Sequence, residues 1–106
     1  MQHPRTQAPP VSVTVAGTAM YTLRQIDEWL GRPKGTAFRA FKALRREGGL
    51  LEGRDFLRLD ADGHGGWIEQ RRAQGQVYRS TIHVVVFTAE AVERLHGRVT
   101  NIPDRG

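Results

Sequence analysis

The spacing of apolar residues changes period several times along the chain, and each change marks an element. In "VSVTVAGTAMYT", Val11, Val13 and Val15 alternate with Ser12 and Thr14, the chain turns near Ala16-Gly17, and it returns through Ala19 to Tyr21. A period of two around a glycine-containing turn predicts a β-hairpin. From Leu23 the apolar positions shift to Ile26, Trp29 and Leu30, the spacing of one helix face. Thr22 and Gln25 stand at capping-box spacing, and Gly31 is a C-terminal stop, so a helix is expected over roughly 23–30. Pro33 prevents a continuous helix, which leaves 31–35 as a tight connection. A second helix is expected from about Thr36 to Arg46, ended by Gly48-Gly49.

Further on, "DFLRLD" (55–60) reads as a strand. Glycine-rich "DGHGG" (62–66) reads as a flexible tip, and "WIEQRRAQG" as about two turns of helix ending at Gly75. "STIHVVVFT" (80–88) is rich in β-branched residues and is the plainest strand in the chain. Thr88 is placed to cap a helix "AEAVERLHG", with Glu90 in its first turn and Gly97 just past its end. Met1 to Pro10 is polar with three prolines and reads as a flexible arm. The expected organisation is an arm over 1–10, one domain over 11–98 and a tail over 99–106. Two short helices, a tight turn and two strands follow the order of a winged helix-turn-helix. The expected fold is therefore α+β, a small winged helix-turn-helix-like domain with an N-terminal β-hairpin. Strands 55–60 and 81–87 would pair as the wing.

Composition narrows the classes of function. The 106 residues suit one domain, and 39% hydrophobic with 25% charged residues describes a globular chain. The absence of cysteine excludes disulfides and thiolate chemistry. No apolar run has the length of a membrane span, and the N-terminus lacks the layout of a signal peptide. A cytoplasmic protein of phage or bacterial origin, with no membrane association, is the expectation. The net charge is +5 and the isoelectric point about 10.7, close to the footprint of nucleic-acid binders.

The positive charge concentrates in "GRPKGTAFRAFKALRR" (31–46), which holds Arg32, Lys34, Arg39, Lys42, Arg45 and Arg46 and no acidic residue. At about 100° per residue, Ala37, Ala40, Phe41 and Leu44 fall within an arc of about 100°. Arg39, Lys42 and Arg46 occupy a narrower arc almost opposite, with Phe38 and Arg45 between. The apolar arc is expected to bury against Ile26, Trp29 and Leu30, with Ala37 and Ala40 permitting close approach. The outward row of cations would then suit a major groove. Lys34, Gly35 and Thr36 lie at the helix N-terminus, where free N–H groups favour phosphate. Against this stands pairing of Arg45 or Arg46 with Glu47 or Glu52. A merely solvated face, however, usually mixes charge signs.

Other residues carry weaker signals. The four histidines lie in four separate segments, without metal-ligand spacing. "DGHGG" lacks the Lys-Ser/Thr ending of a P-loop. Asp55, Asp60 and Asp62 flank a strand, where acids serve as turn formers. Trp67 and Tyr78 read as seals on a small core rather than platforms for bases. No nucleophile–base pair stands out, so neither catalysis nor a cofactor is expected.

The segments "VTVAGTAMYTLRQIDEWLG" (13–31), "DFLRLD" (55–60) and "VVVFTAEAVERL" (84–95) give the chain a resemblance to the N-terminal DNA-binding modules of phage antirepressors and related regulators, the Bro-N and KilA-N class. The resemblance spans residues 11–97 and implies DNA binding in phage or bacterial gene control. The resulting expectation is a small regulator that binds double-stranded DNA in a sequence-specific manner. Arg39, Lys42 and Arg46 would approach bases or phosphates, Arg32, Lys34, Thr36 and Arg45 would flank them, and Arg71 and Arg72 would act from the wing. A homodimer is expected on a palindromic site, joined through "IHVVVF" or through Val92 and Leu95. An acidic protein partner is the alternative, because charge alone does not separate it from DNA. RNA ranks third, for want of paired aromatics exposed on a sheet.

Overall fold

The computed structural model describes residues 11–100. Its order is β1 (Val13–Val15), β2 (Thr18–Thr22), α1 (Leu23–Leu30), α2 (Thr36–Arg46), β3 (Phe56–Leu59), α3 (Ala61–Ala73), β4 (Val84–Phe87) and α4 (Ala89–Thr100). The expected arm over 1–10, and positions 101–106 of the expected tail, lie outside the described residues.

The N-terminal hairpin forms in the register Val13↔Met20, Thr14↔Ala19 and Val15↔Thr18. Ala16 and Gly17 both have positive φ, 51° and 82°, so the two-residue turn carries the twist that hairpins require. Thr22 and Gln25 close a reciprocal capping box at the start of α1, with Gln25 N–H to Thr22 Oγ1 at 3.1 Å and Thr22 N–H to Gln25 Oε1 at 3.0 Å. Gly31 ends the helix at φ 68°, a left-handed conformation that glycine adopts without steric cost.

All four strands join one antiparallel sheet in the order β1-β2-β4-β3. β4 lies inside it, paired with β2 through Tyr21↔Phe87 and with β3 from Phe56↔Phe87 to Leu59↔Val84. Side chains alternate across the sheet as a period of two demands. Val84 and Val86 join Val13, Met20, Leu59, Ile68 and Val77 on the face covered by α3. Phe87 joins Tyr21, Ile26, Phe41, Phe56 and Leu95 on the face covered by α1, α2 and α4. The described chain is a small α+β domain with helices on both sides of its sheet.

Three sequence expectations change here. The 62–66 glycines do not form a loop, because they lie in the first turns of α3, which kinks at His64 (φ −135°, ψ 26°). Each glycine weakens a helix by about 0.5–1 kcal/mol relative to alanine. Ile68, buried at 2% exposure, and half-buried Trp67 anchor α3 to the sheet and offset that cost. α4 continues through Gly97 to Thr100, since Val99 buries in the main core, so the tail begins later than its composition implied. The β3–β4 pair does form, but α3 covers one of its faces and β2 takes the other edge of β4.

Candidate functional site

α2 is oriented by packing on one side and by a buried carboxylate at its start. The Phe41 ring meets Phe56 and Phe87 edge-on, with centroids 4.8 and 5.1 Å apart. Ala37 and Ala40 are buried in the same cluster, where Leu44, Trp29 and Leu30 are partly buried. The expected apolar arc therefore faces the core, and it packs on α4 and the sheet as well as on α1.

Asp27, only 1% exposed, lies on α1 and reaches across the tight connection. Its Oδ1 accepts the Ala37 N–H at 2.7 Å, and its Oδ2 accepts the Gly35 N–H at 3.2 Å. The Tyr78 hydroxyl donates to Oδ2 at 2.6 Å. Gly35, the residue before α2, has φ 97° and offers no side chain to cap the helix. Asp27 does this from the neighbouring helix, satisfying two amides that α2 leaves open and placing negative charge at the positive end of its dipole. Burial, reinforced by the hydrogen bond and charge of Asp27, pushes the Tyr78 pKa above its ordinary 10.0, so the phenol stays a donor. The expectation of free amides awaiting phosphate is thereby corrected. Gly35 and Ala37 give their N–H groups to Asp27, and Thr36 donates to the Pro33 carbonyl at 3.2 Å.

Sequence reasoning missed Asp27. The available signal was its position: on the helical wheel of α1 it flanks Leu23 and Leu30, on the apolar side.

The outward face of α2 carries Arg39, Lys42 and Arg46, all exposed. None of the three has an ion-pair partner among the described residues. The Arg39 guanidinium turns back toward Gly35, with Nη1 2.9 Å from where a Cβ on that glycine would stand. Lys42 Nζ lies 5.2 Å from the ring of Phe38, which is exposed on the same helix. Arg45 covers the edge of the core, 5.9 and 5.3 Å from the Phe41 and Phe56 rings, and stands 3.8 Å from Glu52. Glu47 is engaged by Arg98 at 2.7 Å and leaves Arg46 unneutralised. Arg32 is exposed just before α2, and Thr36 is half-buried in its first turn.

Lys34 links this face to the connection between α3 and β4. Its Nζ lies 3.3 Å from Ser80 Oγ and 5.0 Å from the centroid of the Tyr78 ring.

Arg71 and Arg72 sit differently. Arg71 is half-buried, over the Trp67 ring at 5.4 Å. Arg72 is consumed within the fold: its Nε donates to the Arg79 carbonyl at 3.2 Å, its Nη2 to the Thr81 carbonyl, and its Nη1 pairs with Glu69. Neither guanidinium joins the row on α2.

Elsewhere, Asp55 acts as the turn former that its position suggested. Its Oδ2 accepts the Leu51 N–H at 2.9 Å and pairs with Arg54 at 3.0 Å, and Arg94 lies 3.4 Å from Oδ1. Burial works to raise its pKa. The Leu51 amide and the two arginines outweigh that and hold it below the ordinary 3.8. The two dimer surfaces expected from sequence are both closed, because β4 is paired on each edge and Val92 and Leu95 are fully buried. No described helix is long and apolar enough to cross a membrane.

Comparison with protein-family profiles, curated sequences and solved structures gives no match.

Proposed function

We propose that the protein binds double-stranded DNA through the outward face of α2, as a small regulator of phage or bacterial genes. The observation that carries this reading is the exposed row Arg39, Lys42 and Arg46. These residues stand at helical spacing on an element without a carboxylate, fixed from behind by Phe41 and from its start by Asp27. A cationic helix face held in one orientation can follow a groove and neutralise phosphates without first being ordered. In this reading α1 and α2 form the helix-turn-helix pair. β3 and β4 occupy the place of a wing, absorbed into a larger sheet.

A mobility shift of the full chain on duplex DNA at several salt concentrations tests the reading. Neutralising about four to six phosphates gives a log–log salt slope of about −4 to −5. The double substitution Arg39→Ala with Lys42→Ala is expected to abolish binding while the circular dichroism spectrum and melting midpoint stay those of the parent. A slope near zero, or a double variant that binds normally, overturns it. A nuclease-resistant complex with an acidic protein would assign the same face to a protein partner instead.

A further inference from the structure

We infer that the connection between α3 and β4, at residues 78–81, is a second nucleic-acid contact that grips a backbone phosphate beside the α2 face; the inference rests on the DNA-binding reading above. The four residues are Tyr78, Arg79, Ser80 and Thr81.

Three observations converge on this segment. Its backbone is held in place, because Arg72 donates to the carbonyls of both Arg79 and Thr81, and the Thr81 N–H returns to the Tyr78 carbonyl at 3.0 Å. It is docked against the start of α2, since Ser80 Oγ meets Lys34 Nζ at 3.3 Å and the Tyr78 hydroxyl donates to Asp27, the carboxylate that caps α2. It presents an uncommitted cation, because Arg79 is exposed and has no ion-pair partner among the described residues.

Lys34 joins Ser80 to the N-terminal end of α2, where the Arg39 guanidinium turns back toward Gly35, and Arg79 is the exposed residue just before Ser80 in the chain. They supply two guanidinium groups, an ammonium and a hydroxyl, the donor set that phosphate oxygens accept. The Gly35 and Ala37 amides are taken by Asp27 and the Thr36 amide by the Pro33 carbonyl, so the side chains are what this end of α2 offers to an anion. An arginine used as an internal tie, Arg72, thus serves recognition through a different residue: it fixes the loop, and Arg79 makes the contact.

A phosphate contact adds affinity without reading sequence. In titrations of the full chain against two duplexes of different sequence, Arg79→Ala is expected to weaken binding to both by the same factor, about threefold to tenfold. It should also make the salt slope less negative by about one unit. Arg79→Glu should weaken binding further. Both variants should melt with the parent, because the Arg79 side chain has no hydrogen-bond or ion-pair partner among the described residues. Arg39→Ala with Lys42→Ala is run beside them. If it loses binding while both Arg79 variants keep the parent's affinity and slope, the loop is not a contact and this inference falls alone. If parent and double variant bind equally, or neither binds, the DNA reading falls and takes this inference with it.

Discussion

Asp27 is a buried carboxylate both of whose oxygens accept hydrogen bonds. Its two oxygens meet the amides of Gly35 and Ala37 and the hydroxyl of Tyr78. Replacing it by asparagine removes one acceptor and turns an NH2 group toward donors, leaving buried polar groups unpaired. Asp27→Asn is expected to lower stability by about 1–3 kcal/mol in urea denaturation, against about 1 kcal/mol for Tyr78→Phe, which spares the amide bonds. Phe41→Ala removes a ring wedged between two others and should cost about 3–5 kcal/mol. If the Arg39/Lys42 double variant unfolds as readily as the Phe41 variant, the division of α2 into a core face and an outer face is wrong. That division was legible in the sequence because helical spacing separates the two arcs by itself. The role of Asp27 was not, because it depends on how α1 and α2 meet.

The elements that local chemistry specifies formed where the chain signals them. The hairpin, α1 with its capping box, α2 and the Thr88 cap of α4, with the Ala91 N–H to Thr88 Oγ1 at 3.1 Å, each rest on residues within a few positions of one another. The glycine-rich first turns of α3 and the last turn of α4 do not. Composition argued against both, and burial of Ile68 and Val99 overrode it. The turn at Ala16 holds a non-glycine residue at φ 51°, where asparagine is better tolerated. Ala16→Asn should therefore stabilise the hairpin, raising the denaturation midpoint by the equivalent of about 0.5–1 kcal/mol. A variant that melts earlier would mean that the turn has another conformation in solution.

At the scale of the whole molecule, two ionisable groups among the described residues make stability depend on pH. Asp55 has its folded pKa below the ordinary 3.8, so its contribution is complete above that value and disappears as pH falls through the lower folded one. Tyr78 has its folded pKa above the ordinary 10.0, so its contribution is complete below pH 10 and is lost as pH rises beyond it. Thermal melts across pH should show both limbs, with Asp55→Asn reducing the acid limb and Tyr78→Phe the alkaline one. A parent and an Asp55→Asn variant with the same acid limb would refute the first assignment. Sheet order was the part of the whole least open to sequence reading. Nothing local says that the last strand enters between β2 and β3, and that insertion is what closed the expected strand-edge dimer surface.

The inner position of β4 also governs the order of events on the ribosome. Phe41 has only Phe56 of its two ring partners until Phe87 has been synthesised, and β2 has no bonded neighbour toward β3 until residues 84–87 arrive. The nascent chain therefore carries α1 and α2 as an open amphipathic pair from the completion of α2 at Arg46 until β4 arrives at Val84. Its cationic face gains a rigid backing only with the final stretch. A message cut short before β4 would yield a sticky fragment rather than a weaker binder.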